Sequence, residues 1–230
     1  MPNEQDIKSR LFDQWPERYD SWFETPIGAL VKRYESELLM DMLKPCRGET
    51  ILDVGCGTGV FTRDILSFGT RVTGIDISQP MLKRARQKAG AYSFREIVGD
   101  MRSLPFTDNC FDKVISVTAL EFIEDGKGVV RDIFRVTKKG GIIVVATLNS
   151  LSPWAVRRKR ETEKSHSIFE RAIFRAPDEL RTMAPASAVV KTTIHFQKND
   201  DPKKAPEIER DGRKKGLVTG AFLTAKWEKP

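Results

Sequence analysis

Sulfur and imidazole are scarce in this chain: its 230 residues hold three cysteines and two histidines. Cys46, Cys56 and Cys110 lie far apart and form no CxxC pair, so the set fits reduced thiols rather than a disulfide framework. That usage leads us to expect a cytoplasmic protein. His166 and His195 stand alone, which argues against a zinc or iron site. Long apolar runs are also missing. The longest aliphatic run, 142–146, falls far short of the roughly 20 residues that cross a bilayer, so no transmembrane segment is expected. The opening MPNEQDIKSR is polar and mixed in charge, unlike a secretory signal. No internal repeat is present.

Hydrophobic residues make up 40% of the chain and charged residues 31%, ordinary for a globular protein. A chain above roughly 150 residues can bury enough apolar surface to need no covalent staple. The net charge is +7, with much of the excess in Arg157-Arg158-Lys159-Arg160 and in the stretch 203–215. Neither cluster interleaves aromatic residues, as a surface for stacking single-stranded bases would. Solvated surface is therefore the favoured reading, and a nucleic-acid partner is possible but not favoured.

Helical periodicity is expected over 6–19 and 27–43, the second placing Leu30, Val31, Tyr34, Leu38, Leu39 and Met42 on one stripe. From residue 51 the texture changes to short apolar runs, 51–54, 72–75, 94–98, 114–117 and 142–146. Helix-length segments at about 58–68, 78–89 and 125–137 lie between them, with Ser78 as a cap ahead of Pro80. Aliphatic strands alternating with helices predict a parallel sheet covered on both faces. Beyond 148 we expect a basic helix over 150–165, a short helix opening at Pro177 and strands within 188–196 and 217–227. The polar segment between those two strands reads as a mobile loop. One domain results: a helical cap over 1–48, a ligand-binding core over 49–148, and a substrate-side insertion with terminal strands over 149–230.

The most informative stretch is ILDVGCGTG at 51–59, where a buried strand runs into Gly55, Gly57 and Gly59 just before a helix. Glycines let backbone approach a ligand closely, and the helix start behind them offers free N–H donors. A dinucleotide-binding loop would read G-x-G-x-x-G, but here the third glycine comes one position early and Val60 stands where a glycine belongs. Asp53 ahead of the loop suits a ligand ammonium group better than a pyrophosphate. Asp76, in VTGIDIS, sits about twenty residues on, where an acid accepts from both ribose hydroxyls, with Ile77 against an adenine face. In GDM at 99–101, Asp100 can accept from an adenine amino group and the Met101 N–H can donate to a ring nitrogen.

The ordered series ILDVGCGTG, VTGIDIS, GDMRSLPF, FDKVISVTALEF and RVTKKGGIIVVAT resembles the class I methyltransferases, particularly the methyltransferase-11 or ubiquinone-biosynthesis-like group. The likeness covers roughly residues 50–148. It implies a Rossmann-like α/β fold with a seven-stranded, mostly parallel sheet, the last strand antiparallel, helices on both faces and an N-terminal helical cap. It also implies S-adenosyl-L-methionine as cofactor, with S-adenosyl-L-homocysteine as product. Carried over, Gly55, Cys56 and Gly57 line the methionine part, with Asp53 near its ammonium end. Asp76 holds the ribose, Asp100 and Met101 recognise adenine, and Val117-Thr118-Ala119 borders the methionine moiety. YDSWF at 19–23 is similar to a segment that closes over the cofactor in relatives, which makes Tyr19 and Trp22 candidate contacts. Lys139 replaces the usual proline before Gly140-Gly141, and Glu121-Phe122 stands where many relatives carry a histidine pair.

The methyl group of a sulfonium is already electrophilic, so the protein must mainly exclude water and align the nucleophile. Glu121, Tyr19 and His195 are available bases, His195 reading as structural, and no catalytic residue is assigned. Cys56 lacks a spacing partner for nucleophilic chemistry. The expected activity is methyl transfer to a small-molecule substrate. The alternatives are methylation of RNA or another nucleic acid through Arg157–Arg160, and a non-catalytic protein that keeps the cofactor as a ligand. Nothing in the sequence speaks to oligomeric state.

Overall fold

The computed structural model describes residues 12–162 and 172–230. The cap holds two helices, α1 (Pro16–Glu24) and α2 (Pro26–Leu43), separated by Thr25. The Thr25 side chain accepts from Gly28 N–H to start α2, and Lys44 ends it in a left-handed conformation. The core follows as β1 (Thr50–Val54), α3 (Val60–Leu66), β2 (Arg71–Asp76), α4 (Gln79–Ala89), β3 (Phe94–Val98) and β4 (Phe111–Val117). A 3-10 turn at Leu120–Phe122 leads to α5 (Gly126–Val136) and β5 (Thr137–Leu148). The remainder is α6 (Pro153–Thr162), α7 (Pro177–Arg181), β6 (Val189–Thr193), α8 (Ala205–Lys214) and β7 (Phe222–Glu228).

These strands form one seven-stranded sheet in the order β3-β2-β1-β4-β5-β7-β6. β1 to β5 are mutually parallel, and β7 runs antiparallel between β5 and β6. Period-two alternation divides the core between the two faces. Ile51, Ile115, Val144 and Ala146 join the cluster under α2 and α3, whereas Leu52, Val54, Val114, Ile143 and Val145 join the one under α5. Ser78 caps α4 by accepting from Met81 N–H, as its position before Pro80 predicts. Gly140, at φ 71°, lies in the stretch where pairing slips from Phe111↔Thr137 to Lys113↔Ile142, so Gly140-Gly141 sits in a bulge within β5.

Four expectations need correction. The helix expected over 6–19 is broken before Pro16, which starts α1, and its residues 6–11 lie outside the described residues. Its counterpart over 150–165 begins at Pro153, and residues 163–165 are likewise outside. Strand β7 begins only at Phe222, and β6 ends at Thr193 because Ile194 takes a left-handed φ of 68°. The segment read as a mobile loop contains α8. Its charges hide an amphipathic pattern in which Ala205, Glu209 and Gly212 are buried. Glu209 accepts from the Thr193 hydroxyl, from His195 N–H at 2.7 Å and from Arg213 Nε at 2.7 Å, so a buried acid ties the helix to β6.

Candidate functional site

The carboxyl ends of β2, β1 and β4 are adjacent in the sheet, which brings the loops after them together. The chain turns at Gly55 with φ 72°, and a Cβ there would lie 2.5 Å from the Cβ of Ala119 in the loop after β4. Only glycine lets these two loops pack. Gly55 and Cys56 both donate N–H to Ile75 O, at 2.7 and 3.2 Å, locking the first loop onto β2. Gly57 also has positive φ, 52°, but an added Cβ there would meet nothing within 4 Å, so this turn presents an open face.

Two of the three predicted acids share this place. Asp76, ending β2, accepts from Gly57 N–H at 2.8 Å and Ser78 N–H at 2.9 Å. Its carboxylate keeps acceptor sites beyond those two bonds. Asp53 is buried within β1 and accepts from the Thr62 hydroxyl at 2.6 Å. Burial pushes it up to about 7; the Thr62 bond opposes that shift and the charge of Asp76 adds to it. Burial also raises Asp76. Asp100 is engaged by its neighbour: its carboxylate takes the Arg102 guanidinium at 2.6–3.1 Å and the Arg102 N–H at 2.8 Å. Met101 is half-buried against the apolar cluster beneath α5, and Ile77 is half-buried beside Asp76. Burial drives the Cys56 thiol well above its ordinary range, so it is a poor nucleophile.

The cap reaches across all three loops. Thr118, at φ 47°, turns the chain after β4, and its side chain lies near enough to the buried Tyr19 phenol of α1 to oppose the upward shift that burial gives it. Asp20 accepts from the Thr58 hydroxyl at 2.7 Å in the glycine loop, from Lys88 Nζ at 2.5 Å and from Arg84 Nε at 3.1 Å in α4. The Ser78 hydroxyl donates to Asp13 at 2.7 Å, and Phe12 meets Phe122 edge-on at 4.9 Å. None of Asp13, Asp20 or Lys88 stands out in the sequence. Asp20 and Lys88 are 68 residues apart, and no local pattern links them.

Comparisons with known proteins agree with this geometry. The family described as Methyltransferase domain matches residues 52–145. A malonyl-[acyl-carrier protein] O-methyltransferase of Pectobacterium atrosepticum is 28% identical over 219 residues, covering 86% of this chain and 80% of that protein. A demethylmenaquinone methyltransferase of Tropheryma whipplei is 42% identical over 107 residues, 45% of this chain and 44% of that protein. Residues 52–145 form a methyltransferase domain. The chain spans about half the length of several further curated relatives, from 45% to 50%. A Thermotoga maritima structure described as a methyltransferase and possible histamine N-methyltransferase aligns with TM-score 0.70 at 21% identity. The alignment covers 96% of this chain and 99% of that one, and at this identity the likeness is one of fold.

The donor set suits the family's cofactor, S-adenosylmethionine: an open glycine turn, a carboxylate with spare acceptor sites and a second acid beside them. On the other side of this methyltransferase site, beyond the ends of β4 and β5, lies a buried polar group of a different kind. Glu121 is fully buried; one carboxylate oxygen accepts from Leu148 N–H at 2.7 Å and the other has no hydrogen-bond partner. Arg175, also buried, donates to the carbonyls of Leu120, Ile123 and Ile173, holding the turn that carries Glu121. Glu35 of α2 is 8% exposed, within charge reach of Glu121, and sequence reasoning passed it over because it sits inside an apolar stripe. His195 lies apart from all of these, its ring packed on Gly212 of α8, in keeping with a structural role. Among the described residues no group of acids, histidines and cysteines could hold a metal, and no helix is long and apolar enough to cross a membrane.

Proposed function

We propose that this methyltransferase moves the methyl group of S-adenosylmethionine to a small-molecule acceptor by in-line displacement. The reading rests on Asp76, whose carboxylate ties the glycine loop to the loop after β2 and retains acceptor sites for a ribose. In it, Gly55, Cys56 and Gly57 lie along the methionine part, Asp53 serves its ammonium group and Ile77 covers adenine. Thr118 and Tyr19 border the sulfonium. Asp100 and Met101 complete the adenine end, which requires Asp100 to share its carboxylate between Arg102 and the base. The Pectobacterium and Tropheryma relatives are named for malonyl-[acyl-carrier protein] and demethylmenaquinone, neither of them a nucleic acid, which supports the small-acceptor reading over a nucleic acid. We place the protein in the cytoplasm from its free cysteines.

Binding of the cofactor already excludes water if the cap stays latched. Alignment of an acceptor against the methyl–sulfur bond can then supply about 7–11 kcal/mol of the acceleration. Isothermal titration with S-adenosylmethionine and S-adenosylhomocysteine tests the assignment. Micromolar binding of both is expected, and binding of neither would refute it.

A further inference from the structure

At the end of the sheet where β2, β3 and β4 begin, away from the glycine loop, lies a cavity of about 460 Å³. Its apolar floor includes the buried Phe94 and Phe111, and Tyr92 is exposed at its rim. Arg71, Arg86 and Arg95 stand around it, and no carboxylate lines it. Thr73 of β2 pairs with Arg95 of β3, so the alternation of side chains puts Arg71 and Arg95 on one face of the sheet. Single backbone bonds hold the other two guanidiniums in place: Arg71 Nη2 donates to Gly48 O at 3.0 Å, and Arg86 Nη1 donates to Phe94 O at 2.6 Å. Each fork carries more donors than that one bond uses. Arg95 makes no hydrogen bond or ion pair among the described residues.

The acid beside Phe111 is already committed. Asp112 accepts from Thr50 N–H at 2.8 Å, from the Thr50 hydroxyl at 2.6 Å and from Lys138 Nζ at 2.6 Å. A lone arginine on an edge strand needs no ligand, since charge there discourages pairing with another chain. Three around one cavity without a counter-charge repel one another, and an anion with several acceptor oxygens relieves that repulsion. We propose that this cavity is a second ligand site, which takes the phosphoryl dianion of a small molecule on Arg71, Arg86 and Arg95. Guanidinium forks match phosphate oxygens in pairs, and the exposed Tyr92 ring offers a surface for a planar group attached to the phosphate. Arg71 begins β2 and Asp76 ends it, so this ligand and the cofactor occupy opposite ends of one strand and do not compete.

The test titrates phenyl phosphate and inorganic phosphate into isotope-labelled protein, with ionic strength held by sodium chloride, and follows backbone amide resonances. At about pH 8 the second phosphate proton is lost and both probes are dianions. Amides of 71–73 and 93–95 should shift and saturate. Arg95→Gln, which breaks no bond within the fold, should weaken binding about tenfold, the worth of one charged hydrogen bond. Arg131→Gln, at an exposed position of α5 that does not line the cavity, should change it less than about twofold. Tighter binding of phenyl phosphate assigns the site to an organic monoester laid on Tyr92, and equal binding assigns it to free phosphate. S-adenosylhomocysteine affinity should stay within about twofold in saturating phenyl phosphate. Shifts that never saturate, shifts centred on 55–59, or an Arg95→Gln protein that binds as the wild type does would overturn the proposal. Should S-adenosylhomocysteine itself fail to bind, the cofactor reading falls alone, because the phosphate titration is made without it.

Discussion

From Asp53 to Thr118 the site is built from backbone: turns with positive φ at Gly55, Gly57 and Thr118, N–H groups tied to Ile75 and Asp76, and acids at consecutive strand ends. Around Glu35 and Glu121 it is built from side chains that arrive from α1, α2, the turn after β4, and α6. The first construction tolerates little change, because a backbone turn admits few residues, and it presents the same groups to the same cofactor. The second can be rebuilt one side chain at a time without disturbing the sheet. Function in one fold can therefore change through the second kind of construction while the first stays as it is.

The comparison breaks most easily at Gly55. Gly55→Ala places a Cβ 2.5 Å from Ala119 at a φ of 72°. The strained conformation and the overpacking together should cost about 2–4 kcal/mol in urea unfolding and abolish measurable cofactor binding. Next comes Asp76→Ala, which frees two backbone N–H groups and removes the ribose acceptor. About hundredfold weaker binding of S-adenosylhomocysteine is expected from lost charged hydrogen bonds worth about 1.5–3 kcal/mol; unchanged affinity would dismiss the ribose assignment.

Asp53 sharpens the contrast through pH. Its proton is held to about 7 in the folded protein and Glu35 holds its own to about 8, against about 3.9 and 4.3 in an unfolded chain. The native state therefore binds more protons than the unfolded one between about pH 4 and pH 8. Stability from these two groups is full below that window, falls as pH rises through it and is level above it. A ligand ammonium favours ionised Asp53, so S-adenosylhomocysteine affinity should rise about tenfold from pH 6 to pH 8. Asp53→Asn should flatten that profile in titration calorimetry.

Asp20→Asn probes the cap alone. Losing the charge weakens the bonds from Thr58, Lys88 and Arg84. The dissociation rate of S-adenosylhomocysteine should increase about three- to tenfold, corresponding to about 1 kcal/mol for one weakened network. Stopped-flow fluorescence of Trp15 and Trp22 in the cap would report it. The smallest effect belongs to the basic helix: replacing Arg157, Lys159 and Arg160 with Gln should change cofactor affinity less than twofold. Strong, salt-sensitive RNA binding by the wild type that these changes abolish would instead revive the nucleic-acid reading.

Legibility followed the same division. The glycine loop, Asp76 and the parallel strands were readable because each depends on neighbours within a few positions, down to Ser78 as the cap of α4. The α8 helix was missed because its three buried positions are Ala205, Glu209 and Gly212, which carry no apolar signal, while the charges around them suggest solvent. The Asp20 latch and the coupling of Glu35 to Glu121 were missed for a related reason: each joins residues tens of positions apart, and single charged residues on a helix look alike whether they face water or a buried partner.

What the sequence determined alone was the alternation of strands and helices from β1 to β5 and the glycine turn after β1, since local backbone preference and short-range hydrophobic period suffice for both. Only the tertiary structure decided what surrounds each acid. It set Asp53 beside Asp76, turned Asp100 onto Arg102 and buried Glu35 within reach of Glu121. Desolvation, which gives those carboxyl groups their unusual proton affinities, does not exist until the chain has closed around them.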